Sequence, residues 1–388
     1  MGYCLLFGKV LSTTSKRQRT VVPTPFSFNM GCFHGDGGGG MFIMEKIRKS
    51  NFELLRIVCM LFIVGGHLCL KHDTPFGLSD FDWLAELGLR GFFIVAVNVF
   101  ILISGYFSIR FRGQRIVRLD LQTLFYSVAI MVLTIAVGWH TLDFRKDVLM
   151  LLPILTKRYW FITCYVMLYV IAPYLNRWVE SASVVFYRRV LVFGFLVIYV
   201  WPTFCFMVNA GQFIDDSGYG IISFIYLYIF GRYLRLHYVD KHGARFYFCL
   251  YLLAGVLLFL VQYGLSSVLH LEFTSFYSYN TLFVFVACVS LFLAFSHLDF
   301  RSRVINMLAA PCFSVYLIHS HPYFWGSFCS KLDIAAIHGW RWVMAIFVGS
   351  IAIYLACFVI DRFRVLLLGR LEARLAECIG SRLDRWVQ

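Results

Sequence analysis

From Phe52 onward the chain alternates between long apolar runs and short polar segments rich in charge. The runs lie near 52–70, 88–108, 118–139, 159–177, 185–206, 219–236, 246–268, 278–296, 309–328 and 341–361. Each approaches the roughly 20 residues that a helix needs to cross a bilayer. A segment surrounded by hydrocarbon must satisfy its own backbone groups, so the runs predict helices. The polar segments between them carry the topology. Lys46, Arg48 and Lys49 precede the first run; Arg110, Arg112, Arg115 and Arg118 surround the start of the third. Further arginines follow the fourth, sixth, eighth and tenth, and all these segments fall on one side. The opposite segments are poorer in base: 209–220 has two acids and no Lys or Arg, and 266–280 has Glu272 alone. The segment before the fourth run, with Arg145, Lys146, Lys157 and Arg158, is the exception. By the positive-inside rule both termini are cytoplasmic and the number of spans is even. The expected fold is all-α and integral to the membrane, with about ten transmembrane helices.

Composition agrees with lipid as the solvent. Hydrophobic residues are 60% of the 388 and charged residues 14%, against roughly 25% charged in a soluble domain. Mean hydropathy is +0.74. The net charge of +14 could suggest nucleic acid, but the basic residues sit in short clusters between apolar runs. There they act as topology signals and headgroup anchors, and no nucleic-acid partner is expected. Twelve cysteines are scattered without a CxxC pair, which speaks against zinc or a redox dithiol, and no metal is expected.

Residues 1–43 do not share this pattern. They hold a basic Ser/Thr-rich stretch near Ser15–Thr20 and four glycines at Gly37–Gly40, and they lack the basic flank and long apolar core of a signal peptide. They are read as a disordered extension or a start site placed too early, ahead of a transmembrane domain over 44–366 and a basic cytoplasmic tail over 367–388.

Charges inside membrane spans are costly, so the first run is informative. It reads Asn51-Phe52-Glu53-Leu54-Leu55-Arg56 and continues through apolar residues to Gly65-Gly66-His67. Glu53 and Arg56, three apart, can pair on one helical face. Eleven residues at 100° each return His67 to within about 20° of Arg56, about 16 Å farther along the axis. One stripe therefore joins an acid–base pair at the cytoplasmic entrance to an imidazole deep in the membrane. The plainer reading has Arg56 snorkelling, Glu53 pairing with it and His67 bridging two helices. Arg115 and Arg118, at i and i+3 of a helix start, suit a phosphate through forked donors and free amides; they equally suit a positive-inside anchor. Trp160 and Tyr165 open the fourth run and are read as candidate substrate-site or interfacial residues. His319 lies within an apolar run and joins them as a candidate; His321, beside Pro322, is read as structural. No P-loop, GxSxG or HExxH motif is present, and His72 stands where an HxxxxD pair would place its Asp after His67.

Together these residues resemble the acyltransferase-3 family of bacterial membrane O-acyltransferases that modify surface polysaccharides. The likeness is carried by "NFELLRIVCMLFIVGGH" (51–67), "NVFILISGYFSI" (98–109), "YWFITCYVMLYVIAPYLN" (159–176), "SVYLIHSHPYFW" (314–325) and the RxxR element at Arg115 and Arg118. Glu53 stands where the family usually has Asp, and the SGNH-type esterase domain of some members is missing. The resemblance implies an inner-membrane enzyme that moves a short acyl group, acetyl in the first instance, from acyl-CoA to a sugar hydroxyl of a surface polysaccharide or lipid-linked glycan. No permanently bound cofactor is implied; acetyl-CoA is the donor substrate. Arg115, Arg118 and Arg56 would hold the CoA phosphates. His67 would serve as general base or transient acyl carrier, with Glu53 orienting Arg56. The rival expectation is a polytopic transporter or flippase in which Glu53, Arg56, His67 and His319 line a path. Inverted repeats that would favour it are not found in the sequence.

Overall fold

The computed structural model describes residues 49–69, 81–208, 210–214, 216–268, 275–332 and 336–387. The 1–43 extension and most of the acidic segment after the first run lie outside them. Among the described residues there are helices and turns but no strand: α1 (Asn51–Cys69), α2 (Phe81–Phe93), α3 (Ala96–Phe107), α4 (Gly113–Ala136), α5 (Phe144–Asp147), α6 (Trp160–Ser181), α7 (Val184–Phe195), α8 (Trp201–Val208), α9 (Ile221–Leu236), α10 (Ala244–Val268), α11 (Leu282–Ser296), α12 (Arg303–Ala309), α13 (Cys312–His319), α14 (Trp325–Leu332) and α15 (Trp340–Val387). Six of the described stretches are long and apolar enough to cross a membrane: Asn51–Cys69, Phe81–Phe107, Gly113–Ala136, Val184–Val208, Ala244–Ser267 and Trp340–Arg385. Leu282–Ser296 and Arg303–His319 are shorter apolar helices.

Prolines mark the irregularities. A π-helical turn over Leu196–Val200 joins α7 to α8 just before Pro202, whose ring crowds the carbonyl four residues back and widens the coil. Pro311 separates α12 from α13 because it has no N–H to continue the ladder.

Three apolar clusters make the core, and α1 and α3 serve more than one. Leu55 and Cys59 of α1 and Val99 and Leu102 of α3 pack with α10 and α11. Val64 and Leu68 of α1 pack with Val315 of α13 and Trp342 and Ile346 of α15. Ile101 of α3 joins Leu168 of α6 and Leu227 of α9. The α3–α9 crossing is a backbone contact. A Cβ on Gly105 would collide with the Tyr228 carbonyl oxygen, and one on Gly231 would meet that of Leu102 at 2.5 Å. Large apolar side chains on the outer helices face outward, among them Phe193 and Val348, as expected where lipid is the neighbour.

The ends of the bundle are tied by polar contacts. At the end where α1 begins, the Ser50 N–H donates to the Phe300 carbonyl at 2.9 Å, and the Gly113 N–H donates to Asp384 Oδ1 at 2.6 Å. At the other end His338 Nδ1 lies 2.7 Å from Asp82 Oδ2, and the Gly339 N–H donates to Asp82 Oδ1 at 2.6 Å. These partners explain why the second helical stretch begins at Phe81 rather than near 88: Asp82 is satisfied by His338 and Gly339, and Glu86 pairs with Arg90 at 3.4 Å. The ninth run, expected as one helix over 309–328, ends at His319, turns through Pro322 and restarts as α14. The tenth does not stop near 361. Asp361, Arg364 and Glu372 are buried together, and residues 367–387 continue α15 without a break.

Candidate active site

A cavity of about 180 Å³, partly open to the exterior, runs between α1, α3, α6 and the α12–α13 region. From α1 it is lined by Glu53, Arg56, Met60, Ile63 and His67. The spacing of 3, 4, 3 and 4 residues is that of a single helical face, so the whole length of α1 forms one wall. From α3 come Val97, Phe100 and Ser104, at the same spacing. The stripe read from the sequence is thus a lining, with Arg56 and His67 toward its opposite ends.

At the end where α1 begins, Arg56 Nη1 donates to Glu53 Oε2 and Oε1 at 3.0 and 3.2 Å. The pair is nearly enclosed: their side chains are 10% and 16% exposed. Removing either partner would leave a poorly solvated charge on the cavity wall. Arg115 and Arg118 lie in the first two turns of α4 but do not line the cavity; the neighbouring Leu119 does. Arg115 acts electrostatically on Tyr165, which lies on the cavity wall. Arg118 Nε is buried and has no hydrogen-bond partner among the described residues. The structure therefore places the two arginines beside the charged end of the cavity, not within its lining.

Toward the other end, His67 meets a partner from far along the chain. His319 Nε2 lies 3.1 Å from His67 Nδ1, and His319 Nδ1 lies 2.5 Å from the Val315 carbonyl oxygen. A carbonyl only accepts, so His319 Nδ1 carries a proton and donates it. For two neutral rings, His319 Nε2 is then the acceptor and His67 Nδ1 the donor. His67 Nε2 is left with its lone pair. The Ser320 hydroxyl, 3.2 Å from His319 Nε2, can share the same acceptor. The Trp325 ring, 6.0 Å from His67 and 5.5 Å from His319, covers the pair. This fixed proton order leaves His67 able to take a proton from a group in the cavity.

Trp160 and Tyr165 also reach the cavity, on α6. Tyr165 stacks on Phe161 at 5.9 Å. Trp160 faces Tyr219 and Tyr279, which come from two other connecting segments. Of the residues expected from sequence, Glu53, Arg56, His67, Trp160 and Tyr165 share one cavity, and His319 supports it from behind His67. Sequence reasoning passed over Tyr219 and Tyr279, which sit among many aromatic residues with no motif to mark them, and over Trp325, which closes the 314–325 segment but was not singled out within it. His321, read as structural, is buried and its Nε2 donates to the Ser127 carbonyl at 3.0 Å.

The model of the acyltransferase family, described as an acyltransferase domain, matches residues 49–362. No curated protein and no solved structure is matched. The matched segment starts just before α1 and ends within α15, so it includes the cavity and every residue that lines it. The chain, whose described residues are helical with six helices of membrane-crossing length and which is matched over most of its length, belongs to the acyltransferase-3 family of membrane acyltransferases.

Proposed function

We propose that the protein moves a short acyl group, acetyl in the simplest case, from acyl-CoA to a sugar hydroxyl of a surface polysaccharide or lipid-linked glycan. In this reading the chain crosses a bacterial inner membrane ten times, with both termini in the cytoplasm. The donor enters at the charged end of the cavity. Arg115 and Arg118 hold its phosphates through their forked guanidinium donors, with Arg56, braced by Glu53, at the rim. The pantetheine arm lies along α1 and brings the thioester carbonyl to His67.

The observation that carries the reading is the proton order at His67. The acceptor hydroxyl gives its proton to His67 Nε2 as its oxygen forms a bond to the thioester carbonyl carbon. The carbon–sulfur bond then breaks, and the CoA thiolate leaves with the proton that His67 returns. His319, rather than contacting substrate, receives the His67 Nδ1–H throughout and holds the ring in place. Tyr165, under the influence of Arg56 and Arg115, lines the route of the donor arm.

The test uses membranes containing wild-type protein or His67→Ala at matched levels, supplied with acetyl-CoA labelled in the acetyl group. Wild type should place label on the host's surface glycans, and the variant should lose roughly 100- to 10,000-fold of that rate. Equal transfer by both would remove His67 from the chemistry. Movement of an unmodified solute by the wild type, with no transfer, is the behaviour of a transporter and would overturn the proposal.

A further inference from the structure

Three aromatic residues from three separate segments meet at one end of the cavity. Trp160 begins α6, Tyr219 precedes α9 and Tyr279 precedes α11. The Trp160 ring lies 4.5 Å from Tyr219 and 5.9 Å from Tyr279, and the two tyrosine rings stand 4.8 Å apart at 62°. The two phenols are close enough to act electrostatically on each other. This is not a packed core: Tyr219 keeps 41% of its surface accessible, and all three residues line the cavity.

The corner is held by its backbone. The Tyr279 N–H donates to the Ser217 carbonyl at 3.0 Å, which pins the two connecting segments together, and Asn98 Nδ2 donates to the Tyr279 carbonyl at 2.8 Å. Tyr219 is presented by a tight turn in which the Gly218 N–H donates to Asp216 Oδ1 at 2.8 Å. Gly218 has φ +82°, and a Cβ there would lie 2.7 Å from Tyr279 Cβ. Only glycine fits that backbone and that gap.

The corner also lies at the opposite end from Glu53 and Arg56, at the starts of helices that run toward them. In the proposed topology its segments lie outside the cytoplasm; those of Tyr219 and Tyr279 are poor in base, while the one before Trp160 carries Arg145, Lys146, Lys157 and Arg158. His67, third from last in α1, lies toward the same end. Arg90, the charge felt at both phenols, is paired with Glu86. Flat apolar faces with a few hydroxyl and N–H groups at their edges suit a ring with apolar faces and a polar rim.

We infer that the Trp160–Tyr219–Tyr279 corner is the acceptor subsite and that it takes the face of a pyranose ring, presenting one of its hydroxyls to His67. The inference rests on the transferase reading above. Trp160 provides the stacking face, and the two phenols exchange hydrogen bonds with the rim hydroxyls. The donor does not occupy this corner.

Purified full-length wild type, Trp160→Leu, Trp160→Phe and Tyr219→Leu would be compared with acetyl-CoA and the host's extracted surface glycan. Trp160→Leu and Tyr219→Leu should raise KM for the glycan by roughly tenfold or more, while KM for acetyl-CoA stays within twofold. Trp160→Phe, which keeps an aromatic face, should recover part of the loss. Tyr219→Leu changes an accessible side chain and guards against misfolding of the other variant. A raised acetyl-CoA KM with an unchanged glycan KM would give the corner to the donor and overturn the inference. So would unchanged values for both. If wild type transfers no label, saturation-transfer NMR with the same glycan decides independently. A glycan signal seen with wild type and absent with Tyr219→Leu keeps the sugar subsite while the transferase reading falls. No glycan signal with wild type removes the subsite.

Discussion

His67 and His319 divide two tasks. One lines the cavity; the other fixes which nitrogen of the first carries the proton. The geometry makes the second task testable, because any acceptor at the position of His319 Nε2 would perform it. His319→Ala should lower kcat by roughly ten- to a hundredfold, less than loss of the base itself, with KM for acetyl-CoA unchanged. His319→Gln, whose amide oxygen can accept the His67 Nδ1–H, should retain more activity than alanine. Initial rates over a range of donor concentrations check both. Equal losses for Ala and Gln, or a KM change without a kcat change, would reduce His319 to packing. The α1 stripe was legible in the sequence because Glu53, Arg56 and His67 lie on one helix, where spacing fixes direction. The His67–His319 contact was not, since the partners stand 252 residues apart and nothing local relates their helices. Tyr219 and Tyr279 were hidden for the same reason, in a chain with 22 tyrosines.

At the scale of elements, α15 is joined to α4 and α13 by a buried polar network. Asp361 Oδ1 accepts from the Ser314 hydroxyl at 2.5 Å, the Tyr126 hydroxyl at 3.0 Å and Arg364 Nε at 3.0 Å. Gln122 Nε2 donates to Ser314 Oγ at 2.5 Å, and Arg364 continues to Glu372. Charge alone misleads here. Asp361, Arg362 and Arg364 read as the polar stop of a span, yet Asp361 and Arg364 are 2% and 3% exposed. With Asp361 satisfied from α13 and α4, and Arg364 by Asp361 and Glu372 of its own helix, they cease to end the element. Asp361→Leu strips one acceptor from three donors and should destabilise by about 3–5 kcal/mol, as when one member of a buried charged pair is removed. Asp361→Asn, which keeps an acceptor oxygen, should cost less. Thermal unfolding of the detergent-purified variants measures the order; equal midpoints for wild type and Asp361→Leu would show that the network contributes nothing.

At the scale of the molecule, the cavity has a charged end and an aromatic end, and the helices that wall it begin or finish at one or the other. The alternation of apolar runs made that helical layout legible, while the point where each helix ends depended on tertiary partners. The family match closes at residue 362, but the described helix continues to Val387, and its last turns complete the start of α4. The Gly113 N–H finds its acceptor in Asp384, and a Cβ on Gly113 would collide with the Gly380 carbonyl oxygen. A chain ending at 362 should therefore keep the cavity lining yet expose the amides around Arg115 and Arg118. Hydrogen exchange over 113–118 should rise relative to full-length protein; unchanged protection would count against the contact.

That contact also sets an order of assembly. The arginine-bearing end of α4 leaves the ribosome 271 residues before the carboxylate that fastens it. At ~5–20 residues per second, the wait is roughly 15–55 s. For that interval the nascent chain carries an unfinished arginine-rich helix start. A protease probing residues 112–118 would meet that start unfastened in the incomplete chain and fastened in the finished one.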